Sequence, residues 1–238
     1  MLKKFFQRVN GLIPAYGIFP LLFSLVFNCL VYVGSRWIAG DWYHYNIESR
    51  WDTALPFVPQ FLLIYFGCYL FWAVNYCMIA RQDRQSVYRF FTADFLSRCV
   101  CLVIYLVFPT TNTRPVIEGY GFWNQAARLL YGIDAADNLF PSIHCLISWF
   151  CYIGIRGRKE VPLWYRGASM LFALLVFVST LLTKQHVIVD VISGVLLAEG
   201  CFLIGKKSNL YKWYEKIGNK MEVYVQKLTD RWLFNEKE

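Results

Sequence analysis

A chain of 238 residues is long enough for one globular domain or one bundle of membrane helices. It is 57% hydrophobic and only 17% charged, with a mean hydropathy of +0.37, whereas soluble domains carry about 25% charged residues. A water-exposed globule is thereby excluded. The net charge of +8 would suit nucleic acid or an anionic membrane, and the charges fall at the ends of apolar runs, which selects the membrane.

Met1 to Asn10 carries Lys3, Lys4 and Arg8 and leads into an apolar stretch longer than a signal-peptide core, without a small-x-small cleavage site. It reads as a retained first span. A spanning helix needs about 20 mostly apolar residues. Six stretches qualify: Leu12 to Gly34, Leu55 to Ala80, Phe90 to Phe108, the short Pro141 to Ile155, Pro162 to Leu182, and His186 to Gly205. The expected fold is all-α, a six-transmembrane helix bundle. Asp94 and Arg98 sit at i, i+4 near the start of the third span, where each neutralises the other.

Lys and Arg set the orientation. With the N-terminus inside, the inner segments hold Lys3, Lys4 and Arg8, then Arg81, Arg84 and Arg89, then Arg156, Arg158 and Lys159, then the lysine-rich tail. The outer segments hold only Arg36, Arg50, Arg114, Arg128 and Lys184. Both termini are expected to be cytoplasmic. Trp37, Trp42, Tyr43, Tyr45 and Trp51, with Trp164 and Tyr165 opposite, read as aromatic belts. In the tail, Leu210, Trp213, Tyr214, Ile217, Met221, Val225 and Leu228 recur at i, i+3/i+4 among lysines. That spacing fits a basic amphipathic helix on the inner leaflet, or a solvated terminal helix. The organisation is a membrane domain over 1–208, with its motif core at about 107–194, and a basic amphipathic cytoplasmic tail over 209–238.

The eight cysteines lie mostly in apolar stretches, without Cys-x-x-Cys or zinc-type spacing, and read as small bundle residues. Of three histidines, His44 sits in an aromatic outer loop without an ionic partner at helical spacing. His186 and Asp190 stand one helical turn apart, so the carboxylate can hold one ring nitrogen and leave the other as nucleophile or base. A structural His–Asp pair closing a helix end reads equally well from that segment alone. Pro141-Ser142-Ile143-His144 opens a helix with free backbone N–H groups, a hydroxyl and an imidazole, a ready anion site. Arg114, in an Arg114-Pro115 pair, supplies a guanidinium suited to phosphate oxygens. Lys184 adds a cation two residues before His186. All of these fall at the outer ends of spans.

These residues resemble the motifs of the type 2 phosphatidic acid phosphatase superfamily, whose membrane members share a six-helix plan. That pattern has a Lys seven residues before Arg-Pro, then Pro-Ser-x-His, then Ser-Arg and, after five residues, His-x-x-x-Asp. The chain keeps Arg114-Pro115, Pro141-Ser142-Ile143-His144, Ser179, His186 and Asp190, over roughly Pro109 to Gly194. It departs where Val107 replaces the Lys, Thr180 the Arg, and Ile143 the usual Gly. The reduced pattern is also similar to the sphingolipid and inositol phosphotransferase branch.

The resemblance implies a multi-pass enzyme of the cell membrane acting on an outer-leaflet lipid phosphate at its extracytoplasmic face. His186 would form a phosphohistidine with Asp190 orienting its ring. His144 would serve as acid and then base, while Arg114, Ser142 and Lys184 would hold the phosphate, Lys184 standing in for a missing cation. No metal or other cofactor is expected, and nucleic acid is not an expected partner. Three functions follow: a lipid phosphatase, a phosphotransferase moving a phospho-headgroup to a lipid alcohol, and a non-catalytic lipid binder or transporter on the same scaffold. The last draws on Val107 and Thr180, and retention of both histidines and Asp190 argues against it. Asp134 and Asp137 read as loop and capping residues, or as headgroup contacts.

Overall fold

The computed structural model describes residues 13–235, with side-chain environments up to Tyr224. The cationic head Lys3, Lys4 and Arg8, the first residue of the expected first span, and the far end of the tail lie outside the described residues. Nine α-helices run in chain order among the described residues: α1 (Ala15–Ala39), α2 (Arg50–Ala54), α3 (Leu62–Ala80), α4 (Arg84–Val107), α5 (Phe122–Ile133), α6 (Ile143–Arg156), α7 (Leu163–Leu182), α8 (Ile188–Lys207) and α9 (Tyr211–Asn235). A 3₁₀ turn, Pro59–Phe61, leads into α3. Two-residue strands β1 (Tyr45–Asn46) and β2 (Thr110–Thr111) pair in parallel, joining the loop after α1 to the segment after α4.

The fold is an all-α membrane bundle. Helices α1, α3 with its 3₁₀ turn, α4, α7 and α8 are each long and apolar enough to cross a bilayer, and α6 is a shorter apolar helix of 14 residues. Large apolar side chains stand outward along the long helices, as at Leu25, Leu70, Val103, Leu171 and Leu196. Such a continuous apolar exterior is costly in water and favoured against lipid tails. The shortness of α6 has a packing cause. It is wrapped by α3, α7 and α8, and most of its side chains, from Ile143 to Ile155, are buried in protein.

Several boundaries differ from the apolar runs. Helix α4 begins at Arg84 rather than Phe90, because Asp83 caps it by accepting from the Ser86 N–H (3.0 Å). Its polar first turn is therefore helical but not apolar. Helix α1 reaches Ala39, past Gly34, with Pro14 before its first residue and Pro20 inside. Two helices have no counterpart in the apolar runs. One is α2, closed by a Ser49–Asp52 capping box. The other is α5, which lays Ala127 and Leu130 on Leu62 and Tyr65.

Helix α9 packs one face of the tail on the bundle. Tyr214 is buried among Phe19, Phe23 and Phe95. Arg84 pairs with Glu215 (3.0 Å) and Glu222 (3.2 Å) and bonds Asn219. A Cβ at Gly218 would come within 2.2 Å of the Tyr88 hydroxyl, so a larger residue at this crossing would have to displace the Tyr88 ring.

Inside the bundle, Arg98 donates to Asp94 Oδ1 at 2.9 Å, the pairing expected from their spacing. The carboxylate also accepts from Ser24 on α1 (2.6 Å) and Tyr76 on α3 (2.7 Å), so one buried charge gathers three helices. Breaking a buried pair from one side leaves the other charge uncompensated, at a cost of about 3–5 kcal/mol. Asp94→Ala or Arg98→Ala is therefore expected to lower the unfolding midpoint of detergent-solubilised protein sharply. Replacing both together by apolar residues should cost less, and thermal unfolding monitored by circular dichroism checks the order.

Candidate functional site

Pro141 precedes a sharp entry into α6, and Ser142 caps that helix, its hydroxyl accepting from the Cys145 N–H (3.3 Å). His144 falls in the first turn, its ring against Tyr65 (centroids 4.6 Å apart) and Trp72 (5.4 Å). On the other side of the cleft α7 ends at Leu182. Lys184 takes a left-handed backbone (φ 53°) that reverses the chain. The N–H groups of Gln185 and His186 both donate to the Thr180 carbonyl, at 2.9 and 3.1 Å.

The two motifs meet through main chain. The Ser142 N–H donates to the Asp190 carbonyl (3.1 Å), and a Cβ at Gly194 would lie 2.7 Å from the Ser142 carbonyl oxygen. Helix α8 thus crosses the start of α6 at a separation that only glycine permits. The result is a His144–His186 pair with ring centroids 5.7 Å apart. His186 Nδ1 lies 3.3 Å from Asp190 Oδ2, which also accepts from the Val187 N–H (3.0 Å). With Nδ1 turned to the carboxylate, Nε2 of His186 is left to face the cleft. Asp190 is fully buried, and its Oδ1 has no partner.

Both histidines line a narrow cleft with Tyr32, Asp134, Asp137 and Gln185, and its room is about that of one water molecule. The end of α1 closes one wall of it. Tyr32 donates to Asp134, Arg36 Nε lies 3.0 Å from Asp137 Oδ2, and Asn138 donates to Ser35 (3.1 Å). Burial, against the pull of Arg36, pushes the Asp137 carboxyl up from its ordinary range.

Three of the expected phosphate contacts point elsewhere. Lys184 Nζ donates to the Asp52 carbonyl (2.7 Å), away from the cleft. The Ser142 hydroxyl serves the helix cap. Arg114 donates to the Asp134 and Ala135 carbonyls and to Gln185 Oε1 (2.9 Å), with its guanidinium over the Tyr131 ring. It therefore reaches the cleft through Gln185, whose buried Nε2 has no acceptor. His44 turns to the Trp42 carbonyl and is not in the cleft wall.

The sequence reading missed Gln185 and Asp52. Gln185 had no motif to mark it. Asp52 sits in the short helix α2, where the Ser49-x-x-Asp52 capping signature was the only available signal. Its Oδ1 accepts from the Ile188 N–H (2.7 Å) and anchors the start of α8 beside His186.

A polytopic α-helical bundle presenting Pro-Ser-x-His against His-x-x-x-Asp at one end defines a membrane phosphoester-processing type of protein. The family model described as the PAP2 superfamily matches residues 44–204, about two thirds of the chain and every residue of the cleft except those on α1. The chain belongs to the PAP2 superfamily. No curated protein and no solved structure matches it.

Burial pushes the Asp52 carboxyl up, but hydrogen bonds from Ser49 and Ile188 and the charge of Lys184 outweigh it, so the group titrates below the ordinary carboxylate range. A lowered folded-state pKa gives stability that is present above the ordinary value and lost as pH falls through the lowered one. Asp52→Asn should thus lower stability at neutral pH, by about 1.5–3 kcal/mol if the charged bond is lost, and should flatten the acid limb. Unfolding midpoints of both proteins across an acid pH series test this.

Proposed function

We propose that this chain is an integral membrane lipid phosphatase that cleaves a lipid phosphate ester at the extracytoplasmic face through a phosphohistidine on His186. The observation that supports it is the facing pair of imidazoles, one backed by a buried carboxylate. The excess of Lys and Arg in the opposite loops supports the side.

In the first step Nε2 of His186 attacks phosphorus. The P–N bond forms as the P–O bond to the lipid breaks, and the leaving oxygen takes a proton from His144. In the second step water gives a proton to His144 while its oxygen displaces His186, releasing phosphate. Asp190 accepts from Nδ1 and stabilises the imidazolium that develops during the first attack. Gln185 and the first-turn amides of α6 donate to phosphoryl oxygens, with Arg114 holding Gln185 and lending its charge from behind. Admission of a phosphoryl group needs the Tyr32–Asp134 closure to give way, since the cleft is about one water wide.

Transfer of a phospho-headgroup to a lipid alcohol is a second reading, favoured by charge. Val107 and Thr180 stand where the family carries cations, and Asp134 and Asp137 line the cleft. A phosphodiester carries one negative charge and a monoester close to two at neutral pH, so a diester is the easier guest in such surroundings. The same steps apply, with an acceptor hydroxyl replacing water.

With purified protein and a panel of lipid phosphates and phospholipids, His186→Ala is expected to abolish turnover. His144→Ala should slow it by about 10²–10⁴-fold. Unchanged turnover in His186→Ala would remove the nucleophile assignment. Free phosphate identifies hydrolysis and a new phospholipid identifies transfer. EDTA should leave the rate unchanged, because no step is routed through a metal.

A further inference from the structure

The opposite end of the bundle carries a second concave site. Helix α6 runs from His144 to its last residue, Arg156, and α8 from Ile188 to Lys207, so this end lies roughly 18 Å or more from the histidines at 1.5 Å rise per residue. There Arg89 and Phe90 from α4, Arg156 at the end of α6, Arg158 in the turn after it, and Phe202 and Lys206 from α8 line a cavity of about 400 Å³. That is within the range of small-molecule sites.

Loop cations that set membrane orientation have no reason to converge on a cavity, and these four do. Two are offset by carboxylates. Arg156 pairs with Glu199 (2.7 Å) and Arg158 with Asp83 (3.2 Å). Arg89 and Lys206 have no carboxylate partner among the described residues. Arg89 packs over the Tyr211 ring, and its buried Nε lacks an acceptor. The net positive wall therefore comes with an unmet buried donor, next to the rings of Phe90 and Phe202.

We infer that this cavity binds a phosphate-bearing anion. The apolar walls and the position at the membrane boundary fit the headgroup of an anionic phospholipid, in the leaflet opposite the histidine cleft. The guanidinium of Arg89 and the ammonium of Lys206 suit phosphate oxygens, and the rings take the glycerol and upper acyl carbons. The site is separate from the proposed chemistry and does not depend on it.

The test uses full-length protein in neutral detergent, on a His186→Ala background to suppress turnover. Short-chain phosphatidic acid, phosphatidylcholine of the same chain length and inorganic phosphate are titrated separately, with binding read by native mass spectrometry and thermal shift. Phosphatidic acid is expected to bind more tightly than phosphatidylcholine. Lys206→Glu, at an exposed position, should weaken it about tenfold. Adding Arg89→Gln should weaken it further, and Arg89→Lys should retain most of it. Binding of inorganic phosphate with the same sensitivity to Lys206→Glu would support the same site with a soluble source. Binding of both anions by Lys206→Glu and the double variant as tightly as by the parent would overturn the proposal. So would failure of the parent to bind either.

Discussion

The site rests on one close crossing, where α8 passes the first turn of α6 over Gly194. The bare glycine lets the Asp190 carbonyl reach the Ser142 N–H, so two sequence-distant motifs share a main-chain hydrogen bond. Everything at the cleft follows from that contact. His186 precedes α8 and His144 begins α6, so the register of the crossing fixes their separation. A side chain at Gly194 would push the helices apart against backbone, which has little freedom to yield.

Around this crossing the segments that connect the helices act as a brace. The turn carrying Lys184 and His186 is held from three directions: Asp52 on one side, Asn112 donating to the Lys184 carbonyl (2.9 Å), and Tyr131 donating to the Thr183 carbonyl (2.9 Å). Lys184 is thereby a loop fastening, and the cation expected at the phosphate is committed elsewhere. Arg114 is likewise engaged with carbonyls and Gln185. Positive charge near the cleft is thus supplied indirectly, which bears on the kind of phosphate ester the cleft tolerates.

What the sequence disclosed was whatever carries a period or a spacing. Long apolar runs marked the spanning helices, and i, i+4 spacing marked both Asp94–Arg98 and His186–Asp190. Helix ends that depend on a polar cap, such as Asp83 before α4, were displaced because hydropathy does not register capping. Helix α5, amphipathic and only 12 residues long, was absent because an apolar face on one side of a helix makes no continuous apolar run. Side-chain direction was the harder matter. Proximity in sequence put Lys184 beside His186, and only the left-handed turn at that residue aims it away. Gln185 has no signature at all, since its role comes from Arg114 reaching it across 71 positions of chain.

The sheathing of α6 by α3, α7 and α8 carries a consequence for how the bilayer acts on the cleft. Lipid presses on the outer helices, which adjust to thickness and tension by tilting. The helix bearing His144 touches mainly neighbouring protein, so such strain reaches the imidazole only after passing through packed side chains. The position of the His144 ring is consequently buffered from the mechanical state of the membrane, whereas His186, just before the start of the more exposed α8, meets it more directly.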